Sequence, residues 1–267
     1  MNIQVFGVEG MLGQAVREAI ERRGGKCVVA INRFGTPIRL EQVEPNHILE
    51  NVVINCAGWV SQREGYASQF IAANALGPQR LAQACSVAGA RLVQVSTDCV
   101  FVHPGPHTEF SPVSGSDSYA RSKYAGEVTF PPHVTVRTSF VGFGERGLIH
   151  QLQTQAEVHA SRNLLWSGHM VRTVAELLLE IGERRDILGL LHVPGEFMSR
   201  FDLVSRLVSV LNLPTRIVED NAFVADRRLV SERWGDFGLS LPPPFTDQLE
   251  RIGLVQSHKP LWARLSR

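Results

Sequence analysis

Short apolar runs alternate with segments of helical periodicity along the first half of the chain. Uninterrupted apolar runs are typical of strands that are buried on both faces, and apolar positions at i, i+3 and i+4 are typical of amphipathic helices. The predicted strands lie at residues 3–6, 26–31, 52–55, 91–95 and 134–138, and the predicted helices at 11–23, 66–88 and 118–128. This alternation predicts an α/β fold of the Rossmann type, a doubly wound parallel sheet with helices on both faces.

After Gly142 the pattern becomes a mixture of shorter segments. Helices are predicted at 145–158, 170–184 and 200–211, and strands at 189–193 and 215–218. We therefore expect a Rossmann domain over residues 1–142 and a smaller C-terminal α/β lobe over 143–267, with the strand near 189–193 as a candidate to return to the main sheet. Residues 33–50 are poorly periodic, so one crossover helix is expected to shorten to a turn there.

The amino-acid composition limits the classes of protein to which the chain could belong. The chain has 267 residues, of which 44% are hydrophobic and 20% charged, as in soluble globular proteins. A net charge of +1 does not favour a nucleic-acid partner, and no apolar run approaches the roughly 18 residues of a membrane span. The four cysteines and nine histidines have no metal-ligand spacing. We therefore expect no metal site. Since the sequence shows no signal peptide before the first strand, we expect a cytoplasmic protein.

A glycine motif follows the first predicted strand. The stretch "VFGVEGMLG" places Gly7, Gly10 and Gly13 between that strand and the first helix. Glycines allow a tight turn and let backbone N–H groups approach a pyrophosphate, towards which the helix N-terminus points. This context, together with the intervening Met11 and Leu12, predicts a dinucleotide-binding loop.

The end of the second strand indicates which dinucleotide is preferred. An NAD site usually has an acidic residue there for the ribose hydroxyls, whereas this chain has Asn32 and Arg33. A guanidinium favours a 2′-phosphate, so the sequence predicts NADP(H) as the preferred cofactor and NAD(H) as the alternative. The competing interpretation is that Arg33 is only a solvated loop cation.

Small and polar residues end the next two strands. Asn55, Ala57 and Gly58 follow the third strand, and Ser96 and Thr97 end the fourth. Because ligands bind at the carboxyl ends of the strands in such sheets, these residues are predicted to line the cofactor and substrate site.

The stretch "SYARSKYAGE" places Tyr119 and Lys123 four residues apart, on one face of a helix. That spacing alone also fits an ordinary surface helix. Together with the preceding motifs, the order G-x-x-G-x-x-G, N-x-A-G, S-T-D-x-V-F, Y-x-x-x-K and R-T-S resembles the extended short-chain dehydrogenase/reductases. The runs "STDCVF" and "YARSKYAGE" are most similar to the dTDP-4-dehydrorhamnose reductase branch of that family.

The resemblance implies an NADPH-dependent reductase of a keto group on a nucleotide-activated deoxysugar. Tyr119 would protonate the carbonyl oxygen, and Lys123 would lower the tyrosine pKa and hold the nicotinamide ribose. Thr97 would donate a hydrogen bond to the substrate oxygen. Asn74 would support a proton relay near the cofactor, and Thr138 would lie near the nicotinamide.

The sequence also departs from the branch. Cys99 stands where relatives often have Tyr, and Val102-His103 where they have Asp-Gly, so the identity of the sugar is less determined than the chemistry. Two alternatives stay open: an epimerase or dehydratase of the same fold, with Asp98 as an acid/base, and a non-catalytic regulatory subunit that binds the cofactor. Candidates for stacking on a base or pairing with a diphosphate are Trp59, Arg63, Phe143, Arg146, Trp166 and Arg200.

Members of the family commonly form homodimers through two helices of each subunit. The resemblance therefore implies a homodimer that uses the helices at 66–88 and 118–128, which carry small residues for close approach. The other expected partner is a small nucleotide-sugar substrate, and neither nucleic acid nor membrane is expected.

The Arg33 argument predicts that turnover is more efficient with NADPH than with NADH, because only NADPH carries the 2′-phosphate that a guanidinium binds. Measuring kcat/KM with each cofactor tests it. Equal efficiency, or a preference for NADH, would refute the role of Arg33.

Overall fold

The computed structural model of the chain describes residues 1–30, 38–60 and 66–256. Its strands are β1 (Asn2–Phe6), β2 (Lys26–Val28), β3 (Val52–Asn55), β4 (Arg91–Thr97), β5 (Val134–Thr138), β6 (Phe140–Val141), β7 (Glu157–Ala160), β8 (Leu164–Trp166), β9 (His169–Met170), β10 (Gly189–His192), β11 (Met198–Ser199), β12 (Arg216–Glu219) and β13 (Ala225–Asp226). Its α-helices are α1 (Met11–Arg22), α2 (Ala67–Ile71), α3 (Gly77–Val87), α4 (Ser118–Ala125), α5 (Leu148–Thr154), α6 (Val171–Glu183), α7 (Arg200–Val210) and α8 (Phe245–Gln256). Among these helices, none has the length and apolar character that a bilayer crossing requires.

Six parallel strands form the main sheet, in the order β2-β1-β3-β4-β5-β10. The order of strand addition reverses between β1 and β3, and ligands bind at such a switch point in open α/β sheets. The strand β10 pairs with β5 from Gly189↔Val134 to His192↔Arg137, so the chain returns to the main sheet after leaving it at β6. The Rossmann-type fold predicted from the sequence is confirmed.

Apolar side chains cover both faces of the main sheet. On one face α1 and α6 pack together over the strands, with Val16 and Val174 fully buried between them. On the other face α3 contributes Leu81, which packs with Leu92 of β4. A separate core lies in the C-terminal half, formed mainly by α5, α7 and the first turn of α8. This second core supports the residues beyond β5 that do not join the main sheet.

The predicted helix at 145–158 is partly wrong. The helix α5 spans only Leu148–Thr154, and residues Glu157–Ala160 form the strand β7, which pairs in parallel with β12. In β7 the buried Val158 and Ala160 alternate with the less buried Glu157 and His159. That period of two belongs to a strand, but four residues beside a helical segment are too few to reveal it.

The predicted continuous helix at 66–88 is interrupted by a π-helical segment, Ala72–Leu76. Pro78 has no N–H to donate to the carbonyl of Asn74, four residues before it, so the regular α-helical pattern cannot continue. Gly126, just after α4, occupies the space beside that carbonyl; a Cβ built on it would lie 1.8 Å from the Asn74 oxygen. The interruption therefore brings α4 into backbone contact with the preceding helical unit.

A buried ion pair links α4 to the centre of the sheet. Arg137 of β5 donates from Nε and Nη2 to the two carboxylate oxygens of Glu127, both at 2.7 Å, and the side chains are 3% and 5% exposed. Ser96 Oγ donates to the same carboxylate at 2.7 Å, and Arg137 Nη1 lies 3.2 Å from His192 Nε2. Each buried charge is thus compensated, and the network joins β4, β5 and β10.

The substitution Glu127→Gln should lower the free energy of unfolding by about 3–5 kcal/mol, because it leaves the buried Arg137 guanidinium without its counter-ion. The matched control is Glu157→Gln, which breaks the exposed pair with Arg216 and should cost less than about 1 kcal/mol. Urea denaturation followed by circular dichroism measures both. Similar small losses in the two variants would contradict the assignment of a structural role to the buried pair.

Candidate active site

The glycine loop after β1 is shaped by close backbone contacts. Gly7 has a φ of +81°, and a Cβ on it would lie 2.5 Å from the backbone nitrogen of Ala57. A Cβ on Gly13 would lie 2.0 Å from the Gly7 oxygen, and Gly10 N donates to that same oxygen at 3.0 Å. The helix α1 begins at Met11 without a side-chain cap or an acidic residue in its first turn. Its first N–H groups are therefore available to an anion.

The side chains of Met11 and Leu12 point away from the loop. Leu12 is buried in the core of the main sheet, and Met11 packs against the glycine-rich residues 142–147, with its Sδ 2.9 Å from a Cβ built on Gly142. Both residues thus offer the loop their backbone, whereas their side chains hold α1 in place.

A small cleft of about 70 Å³ lies beside the glycine loop, at the carboxyl ends of β1 and β2. Its lining residues are Val5, Phe6, Gly7, Val8, Glu9, Val29, Ala30 and Ile38. Asn32 and Arg33, which the sequence assigns to cofactor selection, and Arg63 lie outside the described residues.

Asn55 is fully buried at the end of β3. Its Nδ2 donates to Gln94 Oε1 at 2.8 Å, and its Oδ1 accepts from the backbone nitrogen of Ala57 at 3.0 Å. Both polar atoms of the side chain are thus hydrogen-bonded within the protein. The amide therefore stabilises the turn at Ala57 and Gly58, which faces the glycine loop.

Asn74 holds that turn against α4. Its Oδ1 accepts from Trp59 N at 2.7 Å, and its Nδ2 donates to Trp59 O at 2.8 Å and to Ser122 Oγ at 3.1 Å. A Cβ on Gly58 would lie 3.0 Å from Asn74 Oδ1 and 3.9 Å from Lys123 Nζ. Asn74 therefore positions Gly58 directly beside the lysine.

Tyr119 lies beside Thr97 at the end of β4, close enough for the Thr97 hydroxyl to influence the pKa of the tyrosine. Thr97 Oγ1 also accepts from Cys99 N at 3.1 Å. Burial raises the pKa of Tyr119 above its ordinary value, Cys99 raises it further, and the Thr97 hydroxyl acts in the opposite direction. This differs from the expectation that the neighbouring cation lowers the pKa, since burial is the larger influence. Ser96 instead faces Glu127.

Lys123 lies one helical turn after Tyr119 and is buried. Its Nζ donates to the backbone oxygen of Val95 at 2.7 Å. Burial lowers the pKa of Lys123 to about 8, while the nearby Glu127 and Cys56 act to raise it. The ammonium is therefore still the main form at neutral pH, beside the turn formed by Ala57 and Gly58.

Thr138 ends β5 opposite Thr97, and its Oγ1 is buried without a hydrogen-bond partner among the described residues. The carboxylate of Asp98 accepts from the Thr97 hydroxyl at 3.2 Å. Burial raises the pKa of Asp98, whereas the guanidinium of Arg227 acts to lower it. Sequence reasoning missed Arg227 because no motif connects it to Asp98.

The site thus combines a glycine loop, a buried ammonium and two hydroxyls at one edge of the sheet. Within the described ranges, no three His, Cys, Asp or Glu side chains cluster as metal ligands. Trp166 is buried, packs edge-on against Phe245 and donates from Nε1 to Ser139 Oγ at 2.8 Å, so it serves the packing of the C-terminal half.

Comparisons with known proteins show which family the chain is similar to. The family model described as "RmlD substrate binding domain" matches residues 1–222. A dTDP-4-dehydrorhamnose reductase of Mycobacterium tuberculosis is 35% identical over 218 residues, 74% of this chain and 71% of the relative. The enzyme of that name from Streptomyces griseus is 38% identical over 130 residues, 46% of this chain and 42% of the relative. The Bacillus anthracis dTDP-4-dehydrorhamnose reductase, solved in complex with NADP, superposes with a TM-score of 0.79 at 20% identity, over 96% of this chain and 99% of that one.

The buried lysine should make stability depend on pH. The pKa of Lys123 falls from 10.5 to about 8 on folding, so the unfolded chain holds this proton more tightly. The resulting destabilisation, about 3 kcal/mol, is fully present below pH 8 and disappears as the pH rises through 10.5. The free energy of unfolding of Lys123→Met, relative to wild type, should therefore fall by about 3 kcal/mol between pH 7 and pH 10.5 in urea titrations. A difference that does not change over this range would refute the prediction.

Proposed function

Because the chain belongs to the RmlD substrate binding domain family, we propose that it reduces a keto group on a nucleotide-activated deoxysugar with NADPH. The relatives named dTDP-4-dehydrorhamnose reductase make a dTDP-linked 4-keto-6-deoxysugar the preferred substrate. The observation that carries this proposal is the meeting of Tyr119, Thr97 and Lys123 at the carboxyl edge of the sheet.

The residues around the switch point fit a nicotinamide dinucleotide, which supplies the hydride when it is bound. The close backbone packing at Gly7 and Gly13 leaves room for a pyrophosphate at the N-terminus of α1. The buried hydroxyl of Thr138 has no partner among the described residues and suits a polar group at the nicotinamide end. The NADP bound by the Bacillus anthracis relative supports NADPH as the cofactor.

Tyr119 acts as the proton donor to the carbonyl oxygen. Its raised pKa keeps the hydroxyl protonated until negative charge develops on the substrate oxygen. Thr97 lies beside the same hydroxyl and donates a hydrogen bond to the substrate oxygen. After the transfer, the Lys123 ammonium stabilises the phenolate, which has little other solvation in this buried site.

Asn74 acts by positioning. Its amide is bonded to both backbone polar atoms of Trp59 and to Ser122, so it holds the loop after β3 against α4. We assign it this role in place of a direct part in a proton relay.

The protein is also proposed to form a homodimer in the cytoplasm. Apolar side chains are exposed along the helices at 66–88 and 118–128; Ile71, Leu76 and Tyr124 are 50%, 63% and 49% exposed. Pairing these helices between two subunits would remove that apolar surface from water. The four cysteines are free thiols, which suits a reducing compartment.

The substitution Tyr119→Phe should lower kcat for dTDP-4-dehydrorhamnose about 100- to 10,000-fold, because it removes the proton donor and little else. The matched control is Tyr124→Phe, an exposed tyrosine on the same helix, which should keep wild-type activity. The loss of NADPH absorbance measures both. If Tyr119→Phe retains nearly full activity, the proposed mechanism is wrong.

A further inference from the structure

A single apolar side chain attaches the short helix α2 to the candidate active site. Phe70 is 9% exposed, whereas the other four residues of α2 are exposed to solvent. Phe70 nevertheless lies in none of the apolar cores that the described residues form. Large aromatic side chains are usually buried as part of such a core. The burial of Phe70 therefore reflects a contact made outside the cores.

That contact is with the ring of Tyr119. The two ring centroids lie 6.5 Å apart and the ring planes meet at 71°, so the rings pack edge to face. This arrangement is attractive because the positive edge of one ring meets the negative face of the other. It also restrains the orientation of the tyrosine, since a ring that turns away loses the contact.

The backbone of Tyr119 is supported by the same helical unit. Asn74 lies four residues after Phe70, and its Nδ2 donates to Ser122 Oγ at 3.1 Å. Ser122 Oγ in turn donates to the backbone oxygen of Tyr119 at 2.8 Å. Phe70 thus contacts the side chain of Tyr119, while Asn74 supports its backbone through Ser122. Two contacts from residues 67–76 therefore converge on one residue.

Tyr119 needs such support because it lies in the first turn of α4. Asp117 caps this turn by accepting from Ala120 N at 2.8 Å. The first turn of a helix has few internal hydrogen bonds, so its position depends on contacts with other elements. Proton transfer requires the donor and acceptor atoms to lie within about 2.6–3.2 Å, so a small rotation of the tyrosine ring would interrupt it.

We propose that Phe70 holds the ring of Tyr119 in the orientation from which its hydroxyl donates a proton to the substrate. This inference rests on the proposed function for the reaction. Phe70 is a positioning residue, since it acts on the reaction through Tyr119. It belongs to none of the sequence motifs, and only the packing of α2 against α4 brings it to the site.

The substitution Phe70→Leu tests this role, because leucine keeps an apolar side chain at the position but has no aromatic ring. We expect kcat for dTDP-4-dehydrorhamnose to fall about 10- to 100-fold, since a small displacement of the proton donor slows the transfer. The Kd for NADPH should stay within about twofold, because the glycine loop and Lys123 are unchanged. Phe70→Tyr keeps the ring and should recover most of the wild-type kcat.

The matched control is Phe130→Leu, the same substitution at another edge-to-face contact. Phe130 is 46% exposed and packs against His133, with centroids 5.1 Å apart and ring planes at 78°. His133 Nδ1 accepts from Leu92 N near the start of β4, at the opposite end of the strand from Thr97. Phe130→Leu should therefore keep kcat within about twofold. An equal loss of kcat in Phe70→Leu and Phe130→Leu would overturn the proposal.

A double variant separates positioning from general damage. If Phe70 acts through the Tyr119 hydroxyl, adding Phe70→Leu to Tyr119→Phe should cause no further loss of kcat. Damage elsewhere in the protein would instead lower the residual activity again. A further loss of about 10-fold in the double variant, or a wild-type kcat in Phe70→Leu alone, would refute the role of Phe70.

Fluorine NMR of protein labelled with fluorotyrosine tests the contact without turnover. The chain has three tyrosines, Tyr66, Tyr119 and Tyr124, and the spectrum of Tyr119→Phe identifies the resonance of Tyr119. Phe70→Leu should shift that resonance and leave the other two in place, because it removes the ring that packs against Tyr119. An unshifted Tyr119 resonance would contradict the proposal. If Phe70→Leu does not fold, Phe70→Met takes its place in each measurement, with the same expected results.

The same measurements distinguish this proposal from the proposed function. A shifted Tyr119 resonance in a protein that reduces no nucleotide-linked keto sugar would retain the position of the ring and refute the reaction. Loss of activity in Tyr119→Phe together with wild-type activity in Phe70→Leu would retain the reaction and refute the role of Phe70.

Discussion

The candidate active site depends on one backbone contact, that between Gly126 and the carbonyl of Asn74. Pro78 leaves this carbonyl without its usual helical donor, and the helix widens into a π-helical segment at that point. Only a residue without a Cβ can approach so closely. Gly126 directly follows α4, so the contact helps to fix the position of α4 relative to the preceding helix. It thereby helps to place Tyr119 and Lys123 at the end of β4. An irregular helix thus precedes the regular one that bears the reactive groups.

Burial of the ionisable groups at the site lowers the stability of the fold but suits their proposed part in catalysis. Burial raises the pKa of Tyr119 and lowers that of Lys123, so both groups disfavour their ionised forms. Glu127 acts against this at the lysine while it also pairs with Arg137 inside the protein. One carboxylate therefore stabilises the sheet and supports the ammonium beside the site. Unfavourable burial at reactive groups, offset by well-paired charges nearby, is common where stability and activity compete.

The C-terminal half reaches the candidate active site through its small sheet β11-β8-β13. Trp166 is packed against Phe245 and bonded to Ser139, so β8 is held at the edge of the main sheet. Both neighbours of β8 lead directly into an arginine. The C-terminal half is thus attached at the edge of the main sheet where the candidate active site lies.

The sequence by itself determined the features that depend on local pattern. Strands buried on both faces are continuous apolar runs, so the main sheet was predictable, and Tyr119 and Lys123 share a face because they are one helical turn apart. The strand β7 escaped detection because its alternation is only four residues long. Only the tertiary structure decided which hydroxyl meets Tyr119, since the pleat of β4 turns Ser96 towards Glu127 and leaves Thr97 at the site. It also decided that Arg227 of the C-terminal half lies near enough to Asp98 to lower the pKa of that carboxyl, because tertiary packing brings together residues that no sequence spacing connects.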